Sequence, residues 1–445
     1  MGSEMCIRDR PLTRLSCPLE APIMTNHASK LMQTLVGRGY LYQCTDEAGL
    51  DALAQTDKLV GYIGFDCTAP SLHVGSLVQI MMLRHLQQSG GTPIVLLGGG
   101  TTKIGDPSGK DKSRQMLTQE KIDSNKQGIR QVFSKFLNFE GPNAAIMVDN
   151  DDWLGRLGYL EFLRLVGTEF TVNRMVTMDT VKRRLENEQP MTFLEFNYPL
   201  LQSYDFVELF KRYGCRLQLG GSDQWGNITT GVDLTRRMEG GECYGFTTPL
   251  ITTSSGGKMG KTAGGAVWLN GDPSFGEDFT RSPYEYWQFW RNTEDADVGK
   301  FLRLFTDMAE NDVKALEALE GADINTAKIA LANAATTLLH GDAAAQESEA
   351  TAQQTFVSGQ TAAGLPSVEI TLAELNGMGI LTAATTVSLA GSNGEARRHI
   401  KQGALKLNDE KVATHELTLS DADIIDGVVK ISVGKKKHAL LKISG

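Results

Sequence analysis

The chain has 445 residues, about three times the usual length of one domain, which excludes a single small module. Hydrophobic residues make up 41% and charged residues 22%, which excludes collagen-like, low-complexity and largely disordered proteins. The net charge of −9 predicts no general attraction for DNA or acidic membranes, so a polyanionic partner must be bound by local basic patches.

Residues 1–23 show neither helical nor strand periodicity, and Met24 directly precedes an amphipathic stretch, TNHASKLMQTL. We therefore expect 1–23 to be a non-native or disordered leader and Met24 to be the native start. No charged-then-apolar secretory leader is evident, and no apolar run approaches the roughly 18 residues of a membrane helix. The sequence predicts a cytoplasmic protein with no membrane partner.

A strand–helix–strand unit is predicted over 59–100. LVGYIGF and TPIVLLGGG are short apolar runs of the kind buried in a parallel sheet. The segment 71–91 between them has apolar residues at the spacing of one helical face, namely Val74, Leu77, Val78, Met81, Met82 and Leu86. Such a unit makes a right-handed crossover and indicates a nucleotide-binding type of α/β fold.

The remainder of the chain divides by composition. Residues from about 110 to 215 look helical, a second α/β stretch begins at Arg216, and 280–358 have the spacing of a helix bundle. GQTAAGLPS at 359–367 is typical of a linker, and a small terminal module follows it. We predict an α/β domain over 24–250 interrupted by a helical insertion, a helical region over 251–358, and a module over 368–445.

Six cysteines are scattered along the chain without a C-x-x-C pair: Cys6, Cys17, Cys44, Cys67, Cys215 and Cys243. This pattern predicts reduced thiols, with neither a disulfide framework nor a structural metal site.

Two short motifs suggest phosphate chemistry. His73-Val-Gly-Ser76 stands at a strand-to-helix junction, where backbone N–H groups and the helix dipole favour an anion, and Gly75 would let a ligand approach the backbone. Lys258-Met-Gly-Lys261-Thr follows a Ser/Gly-rich lead that would let two lysines reach a polyanion. Taken singly, each motif is equally compatible with a structural histidine or an exposed basic turn.

Together the two motifs resemble the paired HIGH and KMSKS signatures of class I aminoacyl-tRNA synthetases. Four further segments resemble the bacterial tyrosyl-tRNA synthetase family, and they are YIGFDCT at 62–68, GDPSGK at 105–110, YPLLQSYD at 198–205 and GGSDQWGN at 220–227. The resemblance extends from about residue 30 to the end. It implies a Rossmann-like parallel-sheet catalytic domain with a helical insertion, an α-helical tRNA-binding domain, and a small α+β RNA-binding module of the S-four type.

The resemblance also implies the reaction. Tyrosine and ATP would give tyrosyl-adenylate and pyrophosphate, and the tyrosyl group would pass to the 3′-terminal ribose of the tyrosine tRNA. Mg²⁺ is expected with the ATP, held largely by phosphate oxygens and water, because no cluster of carboxylates suggests a protein cage. A homodimer formed through the helical insertion is implied as well.

Attack of a carboxylate on the α-phosphate requires charge and positioning but no protein nucleophile. The catalytic residues implied by the resemblance are accordingly donors and cations, namely Thr68, His73, Ser76, Lys110, Arg114, Lys258 and Lys261. Two positions depart from the commonest family pattern, because Ser76 replaces a second histidine and Gly260 replaces a serine.

Family resemblance places the substrate phenol between Tyr62 and Asp205, and the substrate ammonium among Asp106, Tyr198 and Gln202. Residues 198, 202 and 205 would share one helical face, with the helix beginning at Pro199 because an interior proline breaks a helix. The ATP-binding residues implied are Asp66, His73, Gly75, Gln218, Gly221, Asp223, Gln224, Lys258 and Lys261, with Asp66 as a ribose or supporting contact.

A basic stripe in the terminal module is the footprint expected of phosphate-backbone contact. It comprises Arg397, Arg398, Lys401, Lys406, Lys411, Lys435, Lys436 and Lys437. We interpret it as part of the tRNA-binding surface. The alternative is a basic face that is exposed to solvent and binds nothing.

Two other functions remain open at this point. A tryptophan-specific synthetase of the same fold is disfavoured by Tyr62 and Asp205, which suit a phenol. A catalytically silent RNA-binding protein is disfavoured by His73 and the two signature lysines. We assign no role to His85, expected on a helix surface or in the core, or to Trp225, Trp268, Trp287 and Trp290, expected to be packing residues.

Overall fold

The computed structural model describes residues 27–56, 59–106, 117–254, 256, 259, 261–262, 265–354, 365–434 and 437–444, with backbone alone at 179–180, 261–262, 265 and 277. The predicted leader 1–23 and Met24 lie outside these residues. Within them, no helix is long and apolar enough to cross a membrane.

A six-stranded sheet forms the centre of the first region, in the order β1-β6-β5-β2-β3-β4. Its strands are β1 (Gln43–Cys44), β2 (Val60–Asp66), β3 (Thr92–Gly98), β4 (Ile146–Asp149), β5 (Leu217–Gly221) and β6 (Tyr244–Thr248). Five strands are parallel, as predicted, while the two-residue β1 pairs antiparallel with β6 at the edge. The sheet is therefore mixed rather than purely parallel.

Eleven helices accompany this sheet in the part of the chain described. They are α1 (Lys30–Gly37), α2 (Glu47–Ala54), α3 (Val74–Gln88), α4 (Gly99–Thr102), α5 (Gln119–Phe136), α6 (Asp151–Leu154), α7 (Tyr159–Leu165), α8 (Val172–Met175), α9 (Asp179–Glu186), α10 (Phe193–Tyr213) and α11 (Trp225–Glu239). The predicted β2-α3-β3 unit is confirmed, and the six predicted apolar residues of α3 are all buried.

The segment predicted to be mostly helical, about 110–215, also contains one strand among its described residues. Ile146–Asp149 forms β4, which pairs in parallel with β3 at the edge of the sheet. All four of its residues are only half-buried. The apolar run that contains it, residues 144–148, is too short to be distinguished from a helical segment by periodicity.

Helix α10 also begins earlier than predicted, at Phe193 instead of Pro199. Thr192 and Glu195 form a capping box, in which the Glu195 carboxylate accepts from the Thr192 N–H and the Thr192 hydroxyl accepts from the Glu195 N–H. Pro199 consequently lies inside the helix, where it has no N–H to donate to the turn before it.

An unusually close approach joins α5 to the loop after β2. A Cβ atom built on Gly128 would lie 1.8 Å from the Pro70 carbonyl oxygen, so only glycine fits there. Asn125, one turn earlier, donates to the Cys67 carbonyl at 2.8 Å. Helix α5 thus fixes the position of the loop that carries Thr68, through its contacts with Cys67 and Pro70.

The second region contains a small hairpin and five helices: β7 (Lys261–Thr262), β8 (Gly265–Ala266), α12 (Pro283–Arg291), α13 (Val298–Phe305), α14 (Glu310–Glu317), α15 (Ile324–His340) and α16 (Asp342–Gln353). Trp287 and Trp290 are buried among these helices, as predicted. The hydrophobic cluster there is continuous with the core beneath the six-stranded sheet.

The terminal module contains β9 (Ser367–Thr371), α17 (Leu372–Leu375), α18 (Ile380–Thr386), α19 (Asn393–Lys401), β10 (Leu405–Leu407), β11 (Glu410–Lys411), β12 (Val428–Val433) and β13 (Lys437–Ser444). Its five strands form a separate sheet in the order β11-β10-β12-β13-β9. Most of its buried apolar residues form a core of their own. The predicted small sheet with a helix pair is confirmed.

Candidate active site

A cavity of about 330 Å³ opens where β2 and β5 end. Strands β3 and β4 lie on one side of β2 in the sheet, and β5 and β6 lie on the other side. The gap between β2 and β5 is therefore the point at which the strand order reverses, where open α/β sheets bind ligands. Fourteen sequence-predicted residues line it, namely Tyr62, Asp66, Thr68, His73, Gly75, Ser76, Asp106, Tyr198, Gln202, Asp205, Gln218, Gly221, Asp223 and Gln224.

The deepest polar groups of this cavity are Tyr62 on β2 and Asp205 on α10. Both side chains are buried, with 1% and 2% of their surface exposed. The Tyr62 hydroxyl has no hydrogen-bond partner among the described residues, and its ring packs edge-on against Phe206. A buried hydroxyl without a partner is costly, so this end of the cavity is suited to a ligand that carries a polar group.

Two donors that sequence reasoning missed hold Asp205 in place. Trp153 Nε1 donates to Oδ1 at 2.7 Å, and Asn150 Nδ2 donates to Oδ2 at 3.0 Å. Burial raises the pKa of Asp205 to about 7, against the lowering effect of these two donors. Both donors follow β4, the strand that the sequence did not reveal.

A chain of amides connects the carboxylate of Asp106 to α10. Gln224 Nε2 donates to Asp106 Oδ2 at 3.1 Å, and Gln202 Nε2 donates to Gln224 Oε1 at 3.3 Å. Asn227 Nδ2 in turn donates to Gln202 Oε1 at 3.0 Å. The amides orient one another beside Asp106, which gives this part of the cavity a cation-binding character.

His73 immediately precedes α3, at the mouth of the cavity. The main chain around it pairs with the segment after β8, because Val74 N–H donates to the Val267 carbonyl at 2.9 Å. Trp268 lies edge-on to the His73 ring at 6.0 Å and also lines the cavity, so it packs against the first motif.

Gly75 lines the cavity and lies at the point where the two motifs meet. A Cβ there would lie 2.6 Å from the His73 ring and 3.0 Å from the Met259 carbonyl oxygen. The space beside this glycine is therefore filled by the two signature motifs themselves, which meet at this point.

Two buried amide oxygens of residues that line the cavity, those of Gln79 and Gln218, have no partners among the described residues. Asp66 accepts from Thr101 Oγ1 at 3.2 Å, and Asp223 lies in the turn that leads into α11. Gln79 projects from α3 and was not singled out from the sequence, since nothing in a helical glutamine distinguishes it.

Several predicted residues cannot be placed in the cavity. Lys110, Arg114, Lys258 and Gly260 lie outside the described residues, as does the side chain of Lys261. No group of three or more metal-ligating side chains occurs among the residues that are described.

His85, for which surface and core positions were both open, is in the core. It is 2% exposed, its Nδ1 lies 3.1 Å from Gln88 Oε1, and burial lowers its pKa to about 4. Cys44, Cys67, Cys215 and Cys243 are free thiols, as predicted, while Cys6 and Cys17 lie outside the described residues.

The basic residues of the terminal module lie on neighbouring elements. Arg397, Arg398 and Lys401 are exposed on α19. Lys406 and Lys411 stand opposite each other on β10 and β11, although like charges in that position repel. Lys437 is exposed at the start of β13, and Lys435 and Lys436 lie outside the described residues.

Comparison with known proteins gave matches over most of the chain. The family model described as tRNA synthetases class I (W and Y) matches residues 54–357, and one described as the tyrosine–tRNA ligase SYY-like C-terminal domain matches 358–441. The tyrosine–tRNA ligases of Methylocella silvestris and Caulobacter vibrioides are each 56% identical to this chain, over 93% of it and 98% of the relative.

Solved structures agree with these sequence matches. A C-terminally truncated mitochondrial tyrosyl-tRNA synthetase from Aspergillus nidulans has a TM-score of 0.64 and 28% identity, covering 74% of this chain and 94% of that one. Plasmodium falciparum tryptophanyl-tRNA synthetase, with a TM-score of 0.51 and 14% identity over 73% of this chain and 89% of that one, shares the fold.

Proposed function

The chain belongs to the tyrosine–tRNA ligase family of class I tRNA synthetases, and from that premise we propose how its residues divide the reaction. The enzyme activates L-tyrosine with ATP to tyrosyl-adenylate, releasing pyrophosphate, and transfers the tyrosyl group to the 3′-terminal ribose of tRNA. The observation that carries the residue assignment is the buried, unpartnered Tyr62 hydroxyl in the same cavity as the buried Asp205.

We assign the phenol of tyrosine to this pair. The phenol oxygen would accept from the Tyr62 hydroxyl, and the phenol O–H would donate to the Asp205 carboxylate, whose other contacts are Asn150 and Trp153. Phenylalanine would leave the Tyr62 hydroxyl buried without a partner and would give Asp205 no bond from the ligand, which disfavours it. Tryptophan would present an indole N–H in place of a hydroxyl that both donates and accepts, and for this reason a tryptophan-specific enzyme is not favoured.

We place the α-ammonium group beside Asp106, Tyr198 and Gln202. Asp106 supplies the negative charge, and Gln202 is held by Asn227 so that its amide faces the cavity. With the ammonium and the phenol fixed at two points, the α-carboxylate is directed toward the mouth of the cavity, where ATP must lie. Fixing the nucleophile in this way removes much of the entropic barrier to its attack.

We place ATP across the switch point. Gly221, Asp223, Gln224, Gln218 and Asp66 line the part suited to the ribose and base, and His73, Gly75, Thr68 and Ser76 line the part suited to the phosphates. The cationic groups proposed for the phosphates, Lys110, Arg114, Lys258 and Lys261, would stabilise the charge that develops as pyrophosphate departs. Mg²⁺ is proposed to enter with ATP, held mainly by phosphate oxygens and water.

We propose that the tRNA is bound by the helical region over 251–358 and by the terminal module over 368–445, joined by 359–367. Support comes from the opposed Lys406 and Lys411, whose mutual repulsion would be relieved by a phosphate between them. The reaction then belongs in the cytoplasm, where tRNA and ATP occur together.

We propose a homodimer formed through the helical insertion. Large apolar side chains are exposed on its helices and the segments beside them, namely Tyr159, Leu160, Leu165, Val172, Leu185, Phe193 and Leu194. This concentration of exposed apolar surface is typical of a protein interface. Leu160→Asp should shift the sedimentation of the protein from dimer to monomer, and an unchanged dimer would place the interface elsewhere.

The experiment that tests the function is exchange of labelled pyrophosphate into ATP, with tyrosine, tryptophan and phenylalanine compared. We expect exchange with tyrosine alone. Exchange with tryptophan would show the sibling activity, and no exchange would show a silent RNA-binding protein. Ending the chain after Ala363 should leave exchange nearly intact while charging of tRNA falls sharply; equal charging by the shortened and full-length chains would contradict the role of the terminal module.

A further inference from the structure

The segment that leads into the signature loop is held by the helical region. Ser254 N–H donates to Asp297 Oδ2 at 2.8 Å, and Lys300 Nζ donates to the Thr252 carbonyl at 3.2 Å. Ser254 Oγ lies 2.6 Å from Glu294 Oε2 and 3.0 Å from Asp297 Oδ2. The Ser254 hydroxyl has one proton and can donate it to only one of the two carboxylates. Asp297 remains bonded to Ser254 in either case, because it also accepts from the Ser254 N–H.

The Asp297 side chain faces the loop instead of its own helix. Asp297 immediately precedes α13, the position where an aspartate commonly caps a helix, but its side chain makes no capping hydrogen bond. The residue is only 5% exposed. A carboxylate buried to this degree requires donors, and the Ser254 N–H and hydroxyl are donors that the signature segment supplies.

The other end of α13 is fixed to the catalytic sheet region. Arg38, which follows α1, donates through Nη1 to the Arg303 and Thr306 carbonyls, both at 2.8 Å. The Tyr40 hydroxyl donates to the Leu304 carbonyl at 2.6 Å. Helix α13 therefore forms a bracket, with its C-terminal end attached near α1 and its N-terminal end attached to Ser254.

The far side of the signature segment is fixed as well. Met259 N–H donates to the Ile251 carbonyl at 3.0 Å, and the Met259 side chain is buried in the main hydrophobic cluster. The Met259 carbonyl lies against Gly75 of the first motif. Ser254 and Met259 are thus two fixed points on the segment that carries the signature lysines.

We propose that Asp297 is a positioning residue for the activation step. By holding Ser254, it fixes where the backbone bearing Lys258 and Lys261 departs from the helical region, and so sets the reach of the two lysines toward ATP. This inference rests on the proposed role of those lysines. Asp297 touches no substrate, so its contribution falls on the rate of adenylate formation and not on the binding of tyrosine.

The test compares Asp297→Ala, Ser254→Ala and the double variant in the full-length protein. We expect Asp297→Ala to lower the single-turnover rate of adenylate formation about 10- to 100-fold, because a displacement of about 1 Å can have that effect. The dissociation constant for tyrosine should stay within about twofold, and the double variant should be no slower than Asp297→Ala. Asp295→Ala is the matched control, since Asp295 is exposed and pairs with Lys328.

Several outcomes would overturn the inference. One is an unchanged rate in folded Asp297→Ala, and another is an equal loss of tyrosine affinity, which would indicate a general structural defect. If Asp297→Ala fails to fold, Ser254→Ala decides, because it removes the hydroxyl that lies between Asp297 and Glu294, and it must still slow adenylate formation by more than about twofold. If Lys261→Ala slows the reaction while Asp297→Ala does not, the function stands and only this inference fails.

Discussion

The two ends of the cavity are built in opposite ways. At the inner end, Tyr62 and Asp205 are almost fully buried on a central strand and a long helix, and two donors hold Asp205 in place. At the mouth, Thr68 is exposed, His73 lies at a helix boundary, and the proposed lysines belong to segments between elements. The inner end suits recognition, which requires groups that cannot rearrange around a wrong ligand. The mouth suits catalysis, in which charge must act on phosphates as they move.

Asp205→Ala should have the largest effect, because it removes the central group of the inner end. Asn150 and Trp153 would each lose a hydrogen bond to a buried carboxyl group, and a buried donor left without its acceptor costs about 1–3 kcal/mol. We expect kcat/KM for tyrosine to fall by more than about 100-fold. Steady-state pyrophosphate exchange measures this, with Asp233→Ala as a control for a carboxylate outside the cavity.

Lys261→Ala tests the proposed catalytic role of the mouth of the cavity. Loss of one donor to developing charge is of order 2–4 kcal/mol, and the loss should appear in the rate of adenylate formation while tyrosine binding remains unchanged. Pre-steady-state kinetics combined with equilibrium dialysis separates the two quantities. A rate within about twofold of the parent protein would remove this lysine from the mechanism.

Tyr62→Phe tests how the inner end of the cavity distinguishes tyrosine from phenylalanine. The variant lacks one donor to the substrate hydroxyl, so the preference for tyrosine over phenylalanine should narrow by about 1–3 kcal/mol. The measurement is the ratio of activation efficiencies for the two amino acids. An unaltered ratio would place the substrate hydroxyl elsewhere.

The pH dependence of tyrosine binding should report on Asp205. Burial raises the pKa of this carboxyl from 3.8 to about 7, so the stability contributed by its neutral form is complete below about pH 4 and is lost as the pH rises through 7. The ionised form is the better acceptor for the phenol. Tyrosine affinity should therefore rise about tenfold between pH 6 and 8, and Asp205→Asn should abolish this dependence.

Arg212→Met should have the smallest effect. The Arg212 guanidinium lies 5.1 Å from the centre of the Trp153 ring, and Trp153 donates to Asp205. A cation over an indole contributes about 0.5–1 kcal/mol at an exposed site, so KM for tyrosine should increase about two- to fivefold without a change in kcat. Arg236→Met, which removes an exposed arginine paired with Asp233, is the control.

Much of the catalytic region could be predicted from sequence because periodicity and motifs agreed there. The β2-α3-β3 unit has an uninterrupted apolar pattern, and the residues placed around its ends by resemblance line one cavity. The start of α10 also has a local sequence signal, because Thr192 and Glu195 have the spacing of a capping box, whereas Pro199 by itself favours a later start.

Other features depended on contacts that no local pattern records. Asn150 and Trp153 reach Asp205 only because β4 places them beside α10, and β4 itself is four half-buried residues. The Met259 carbonyl approaches Gly75 from a segment more than 180 residues away, and no pattern around Gly75 records that neighbour. Long-range proximity of this kind requires the tertiary structure.

The contact between Gly128 and Pro70 limits which residue α5 can carry at position 128. Gly128 lies on a helix that contributes no side chain to the cavity, yet any residue with a Cβ must push the Pro70 carbonyl away. Pro70 lies midway between Thr68 and His73, so the displacement would be transmitted to both. A position on an outer helix, without any ligand contact, thereby constrains the loop that carries two residues of the cavity.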